Sequence, residues 1–267
     1  MTLDGGDPGR ELTRCWRCGR DVSRTVEACP HCAAPRRRGV RRPSIDSSRK
    51  DAGRLPGVLV VFGILLAISV LHVILVSSGA KPDAAPAALV RRQLAGLLAF
   101  ELLTTAVIVA GIRILGRPSR WPPVNTGSTL AAWGLSVVGL LLMVRLNTGY
   151  HELLQQQLGP APIDAATAAA LRGSALAYLV LCFQPAVVEE IFFRWLTLDS
   201  LREAMGVPAA VLTSSLMFGI AHIGMPLSIP ILMVLGVLLG LARVATGSLV
   251  LPIALHFFHN LVLLVQG

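Results

Sequence analysis

Seven apolar runs leave this chain few folds to choose from: Leu55–Ser78, Leu89–Leu115, Ser128–Leu146, Leu171–Phe193, Val207–His222, Ile229–Arg243 and Leu249–Val265. About 20 apolar residues of helix cross the hydrocarbon core of a bilayer, and the runs are of that order. A backbone in lipid must satisfy its own hydrogen bonds, so the runs are read as helices. Hydrophobic residues make up 54% of the chain, charged residues 15%, and the mean hydropathy is +0.66, outside the balance of soluble domains. The breaks between runs carry Gly, Pro and Asn, as at Gly79 to Pro82, Pro118 to Pro123 and Gly206 to Pro208. The expected fold is an all-α, polytopic transmembrane helical bundle of about seven spans over residues 55–267. A lipid bilayer is its first partner. No internal repeat is visible.

Residues 1–54 are polar and divide in two. Within 1–34, Cys15-Trp16-Arg17-Cys18 and Cys29-Pro30-His31-Cys32 form two C-x-x-C knuckles ten residues apart. That spacing brings Cys15, Cys18, Cys29 and Cys32 together as tetrahedral zinc ligands. Two disulfides are the competing use, disfavoured by a cytoplasmic setting. Four ligands close the coordination sphere, so the zinc is structural. The segment resembles the short zinc ribbons at the N-termini of many prokaryotic membrane proteins, which implies a prokaryotic cell membrane and a partner protein for the ribbon. Residues 35–54, with Arg36-Arg37-Arg38, Arg41-Arg42, Arg49-Lys50 and Arg54, read as a basic flexible linker beside anionic headgroups. The first apolar run starts only near Leu55, so no signal peptide is expected. The net charge of +9 is concentrated here and in the loops. Cationic loops beside apolar spans are a topology signal, and aromatics at 5% are too few for base stacking, so no nucleic-acid partner is expected. A cytoplasmic N-terminus puts Arg113, Arg117, Arg120, Arg194, Arg202 and Arg243 on one side. Lys81, Arg91, Arg92, Arg145 and Arg172 fall on the other.

Three ionisable residues interrupt the fourth run, in Val187-Val188-Glu189-Glu190-Ile191-Phe192-Phe193-Arg194. Each costs roughly 2.5–3.5 kcal/mol at mid-bilayer on insertion scales, so such groups face protein or a wet cavity. Residues four apart share a helix face, which pairs Glu190 with Arg194. Glu189 is rotated about 100° away and is left to act on substrate or water. A register-fixing salt bridge would explain Glu190 and Arg194 but not Glu189. Two later runs carry Phe218-Gly219-Ile220-Ala221-His222 and His256-Phe257-Phe258-His259-Asn260, with His256 and Asn260 on one face. Together these groups supply a base, a second water ligand and donors for an oxyanion. If the fourth helix stopped at Arg194, Glu189 and His222 would lie near opposite membrane faces. Continuation through Trp195–Ala204 to a C-terminal glycine at Gly206 relieves that conflict, with Pro185 at a kink or a helix start.

E-E-x-x-x-R, F-x-x-x-H and H-x-x-x-N, in this order over residues 171–265, resemble the CPBP (CAAX protease and bacteriocin-processing, or Abi) family of intramembrane endopeptidases. The resemblance implies a glutamate-dependent peptidase in which Glu189 and His222 activate a water. Glu190 and Arg194 would be paired, and His256 and Asn260 would polarise the scissile carbonyl and stabilise the oxyanion. Members have been called metalloproteases. Glutamate with two histidines is an adequate zinc set, and the same residues serve without metal, so the sequence leaves a catalytic zinc open. His259 lies outside the pattern and is given a packing or supporting role; Cys182 is read as packing. The implied substrate is a membrane-embedded or membrane-associated protein or peptide, with no residue that reads a prenyl group. A non-catalytic membrane adaptor or bacteriocin-immunity-type protein, with structural polar residues, is the alternative. A carrier would be expected to show paired half-repeats.

Overall fold

The computed structural model describes residues 12–15, 17–23, 26–32, 34, 54–78, 86–116, 118, 121, 126–159 and 165–266. The linker expected over 35–54 lies outside them but for Arg54, as does Trp16.

In the N-terminal segment, strands β1 (Leu12–Arg14) and β2 (Asp21–Ser23) pair antiparallel with Thr13 opposite Val22. The chain between them turns at Gly19, whose φ of 71° suits a residue without a Cβ. The Cys15 N–H donates to the Arg20 carbonyl at 2.8 Å and the Gly19 N–H to the Cys15 carbonyl at 2.9 Å, closing the first knuckle. The Cys29 N–H donates to the Ala34 carbonyl at 2.9 Å in the second.

Among the described residues eight helices follow: α1 (Arg54–Ser78), α2 (Pro86–Leu115), α3 (Thr126–Leu158), α4 (Ala165–Arg172), α5 (Ala175–Met205), α6 (Val207–Ala221), α7 (Ile229–Thr246) and α8 (Val250–Gln266). Five segments are long and apolar enough to cross a membrane: α1, α2, α3, α5, and α7 with the turn before it. The helices α6 and α8 are apolar but shorter. Six of the seven apolar runs thus lie on a helix of their own, while Leu171–Phe193 begins at the end of α4 and crosses the Gly173-Ser174 break into α5. Among the described residues five rather than seven segments meet the full length of a span. Leu71, Leu75, Leu103, Leu135 and Leu142 point outward from α1, α2 and α3, the arrangement expected where lipid replaces water. The inner elements are α5, 44% buried over its most apolar stretch, and α7, 39%, against 17–22% for α1 to α3.

Two boundaries differ from expectation. Helix α3 passes Leu146 and ends at Leu158, because the polar stretch after Leu146 contains no proline and is held at Tyr150, whose hydroxyl donates to the Leu227 carbonyl at 2.6 Å. Helix α5 starts at Ala175 and runs on to Met205. Gly206, with φ of 82°, ends it and opens α6. Pro185 neither starts nor breaks α5. It stands where a π-helical turn, Leu179–Phe183, passes into the α turn Gln184–Glu190, and a second π stretch, Ile191–Thr197, follows. Single π turns inside helices are frequent at functional sites.

The cations assigned to loops are also corrected. Arg194 is 1% exposed and Arg243 5%, each in an ion pair inside the bundle, so neither belongs to a topology tally.

Candidate active site

The hairpin of α5 and α6 sets the depth of the site. Gly206 lies seventeen residues after Glu189 and sixteen before His222, so the two antiparallel arms return to one level. Glu189 Oε2 and His222 Nε2 stand 3.9 Å apart, with side chains 24% and 19% exposed. His222 closes the end of α6, and its Nδ1 lies 2.8 Å from the Phe218 carbonyl. A carbonyl only accepts, so Nδ1 carries the hydrogen and a neutral ring leaves Nε2 as an acceptor facing Glu189. The gap is too long for a direct hydrogen bond. It suits a water giving one hydrogen to each group.

Glu190 is in another environment one residue away. It is fully buried, with Arg194 Nη1 at 3.0 Å and His256 Nδ1 at 2.9 Å from its Oε1. Arg194 is gripped further. Its Nη2 donates to the Gly236 carbonyl at 3.2 Å, and its guanidinium lies 4.4 Å from the Phe218 ring centroid. Gly236 permits that approach because α7 crosses α6 there; a Cβ on Gly236 would meet Ser215 Cα at 3.0 Å. Phe218 is the hub, its ring 4.9 Å from His222 and 5.7 Å from His256. The adjacent glutamates therefore differ: Glu189 is reachable, and Glu190 is a neutralised internal anchor.

Asn260 makes its hydrogen bonds to groups other than the Glu189 carboxylate. Its Nδ2 donates to the Leu181 carbonyl at 3.0 Å, and its Oδ1 lies 3.3 Å from His259 Nδ1. His259 and Cys182 are buried. The donors around Glu189 do not fit a zinc centre. Glu190 is taken by Arg194 and His256, and among the described residues only the four cysteines bring three or more ligand atoms within 4.8 Å of one another. That cysteine cluster can hold a metal ion. Its Sγ atoms pair at 3.5 Å (Cys15 and Cys32) and 3.7 Å (Cys18 and Cys29), beyond a disulfide bond, and all four thiols are free. Burial and contact with its three neighbours push the Cys32 thiol up to about 12. For Cys29 the effect of burial is outweighed by the backbone of His31 and the other thiols, which bring it to about 7.

Two polar clusters escaped the sequence reading. Glu101 on α2, only 6% exposed, interacts electrostatically with Glu189. Gln184 Nε2 reaches from α5 to the Glu101 carbonyl at 3.3 Å and to Thr105 Oγ1 at 2.9 Å. A carboxylate inside the second apolar run was its signal. Near the C-terminal end of α5, buried Asp199 accepts from Trp121 Nε1 and from Arg243 Nη2, the latter at 2.8 Å. Arg202 lies over the Trp121 ring at 4.2 Å. An apolar cleft of about 530 Å³ between α1 and α2, lined by His72 and Phe100, contains none of the site residues.

Residues 171–262 match the family model described as Type II CAAX prenyl endopeptidase Rce1-like. No curated protein and no solved structure matches the chain. The matched stretch holds all three motifs, so the resemblance they carry is borne out. The protein is an integral membrane protein whose site-bearing helices are similar to CAAX-type intramembrane proteases.

Proposed function

We propose, from the Rce1-like endopeptidase match over residues 171–262, that this chain hydrolyses peptide bonds of a membrane-associated protein or peptide with Glu189 as base. The observation that carries this is the Glu189 and His222 pair, 3.9 Å apart and partly exposed, with Nδ1 of His222 tied to the Phe218 carbonyl. A water between them gives one hydrogen to each acceptor and turns a lone pair towards the scissile carbonyl. Glu189 takes the proton as the water oxygen bonds to the carbonyl carbon. The C–N bond then breaks, and the proton passes to the departing amine. His256, its Nδ1 held by Glu190, offers Nε2 to the carbonyl side, and Asn260 contributes the second hydrogen of its amide nitrogen. Glu190 and Arg194 fix the helix that carries Glu189. No step requires a metal, because the donors around Glu189 do not converge on one point.

The N-terminal cluster is proposed to be a structural zinc ribbon. Zinc–sulfur bonds of about 2.3 Å in a tetrahedron set sulfurs about 3.8 Å apart, close to the 3.5 and 3.7 Å seen. We propose a division into ribbon (1–34), basic linker (35–54) and peptidase domain (55–267), with the N-terminus cytoplasmic in a prokaryotic cell membrane and the ribbon recruiting a partner or substrate. The basic run beside the first span supports that orientation.

Cleavage of a membrane-peptide library by wild type and Glu189→Gln tests the activity. The substitution keeps shape and removes the base, so turnover should vanish while insertion and purification are normal. Substantial turnover by Glu189→Gln would remove Glu189 from the mechanism.

A further inference from the structure

Pro185 sits inside α5, four residues before Glu189. A proline has no backbone N–H, so the carbonyl four residues earlier, that of Leu181, loses its α-helical donor. The neighbouring Gln184 N–H is already committed to the Leu179 carbonyl. A carbonyl deprived of its helical donor in apolar surroundings gains from a replacement. Asn260 of α8 supplies that donor through Nδ2, 3.0 Å from the Leu181 oxygen. The other end of the same amide is held as well. His259 Nδ1 lies 3.3 Å from Asn260 Oδ1, and the His259 side chain is 1% exposed with no partner at Nε2. An amide oxygen only accepts, so Nδ1 is the N–H donor in this pair. The Asn260 amide is thus gripped at nitrogen and oxygen.

We propose that Pro185 and His259, neither of which belongs to the three motifs, are positioning residues for Asn260. Pro185 withholds an N–H so that the Leu181 carbonyl anchors the Asn260 nitrogen, and His259 anchors its oxygen. The proposal rests on the peptidase reading, in which the second hydrogen on that nitrogen meets the developing oxyanion. It makes the helix flaw a working part. Pro185→Ala returns the N–H, lets α5 close its own bond to Leu181, and releases Asn260.

The test is a cycle of wild type, Pro185→Ala, Asn260→Ala and the double variant, each scored for peptide turnover and melting temperature. Pro185→Ala should melt no lower than wild type, yet lose roughly tenfold or more in kcat, a part of what a lost oxyanion donor costs, with KM unchanged. A residue that only holds the fold together would lose activity and stability together. Asn260→Ala should lower the melting temperature less in the Pro185→Ala background than in wild type, because the Leu181 carbonyl is then already satisfied. His259→Phe should lower kcat as Pro185→Ala does, and His259→Asn, which keeps an N–H near Nδ1, should recover it. Wild-type kcat in Pro185→Ala, or additive melting shifts in the cycle, overturns the proposal. Absence of turnover in wild type sinks the peptidase reading instead, while the melting cycle still reports whether Pro185 and Asn260 are coupled.

Discussion

Arg194→Ala is the sharpest perturbation of the fold that carries the site. The guanidinium is 1% exposed and answers Glu190 at 3.0 Å, the Gly236 carbonyl at 3.2 Å and the Phe218 face at 4.4 Å. Its removal leaves Glu190 fully buried with only His256 beside it. Breaking a buried pair from one side costs about 3–5 kcal/mol, and a desolvated cation over an aromatic face adds about 2 kcal/mol. At about 2–4 °C per kcal/mol for a domain of this size, the melting temperature in detergent should fall by roughly 10 °C or more, with turnover lost. Arg194→Lys should fall between, since lysine keeps the charge but not the fork that reaches Gly236. Arg194→Met with Glu190→Gln should regain much of the stability without the activity, because neutral partners of similar volume remove the stranded charge. An Arg194→Ala protein that melts within about 1 °C of wild type would refute the buried-pair reasoning, even if inactive, and would assign Arg194 to direct substrate contact.

The cysteine cluster should hold one zinc per chain by elemental analysis, lost on Cys29→Ser; metal content unchanged by that substitution refutes the assignment. Zinc must displace the proton of the Cys32 thiol, which burial and its neighbours push up to about 12, so affinity should fall as pH falls and metal should leave on acidification. Asp199→Ala strands Arg243 and frees Trp121. It should lower the melting temperature by several degrees while kcat, measured below the melt, stays near wild type; an abolished kcat in folded protein would tie this cluster to the chemistry. Deleting residues 1–50 should leave turnover of a short detergent-soluble peptide comparable to full length, and a hundredfold loss in folded protein would place the ribbon inside the active unit.

The sequence disclosed the apolar elements and the site motifs well, and for the same reason. In lipid an ionisable residue is conspicuous, so Glu189, Glu190, Arg194, His222 and His256 stood out against their surroundings. It disclosed partners poorly. Arg194, Arg202 and Arg243 looked like loop cations because charge ends an apolar run, yet Arg194 and Arg243 are buried. The Glu190 partner of Arg194, four residues away on the same helix, was legible, but its Gly236 carbonyl and the Asp199 partner of Arg243 come from helix crossings that no local pattern records. The Asn260 motif shows the same limit. The i, i+4 spacing put it on the His256 face, but its nitrogen is bonded to the Leu181 carbonyl.

The division of labour within the Glu189-Glu190 pair follows from what each carboxylate meets. A helix turns neighbouring residues about 100° apart, and α5 is enclosed on one side and open on the other. Glu190 turns inward to Arg194 and His256 and is fully buried, where a lone charge could not survive. Glu189 turns towards His222 and keeps 24% of its side chain exposed. The base proposed for Glu189 must be reached by water, and its helix must not move when it is. One carboxylate cannot meet both needs, since the burial that locks it would also shut out water. Two adjacent carboxylates on one rigid turn can. Exchanging them through register slippage would bury the base and expose the anchor, and the Arg194 bond to the Gly236 carbonyl on α7 resists that slip.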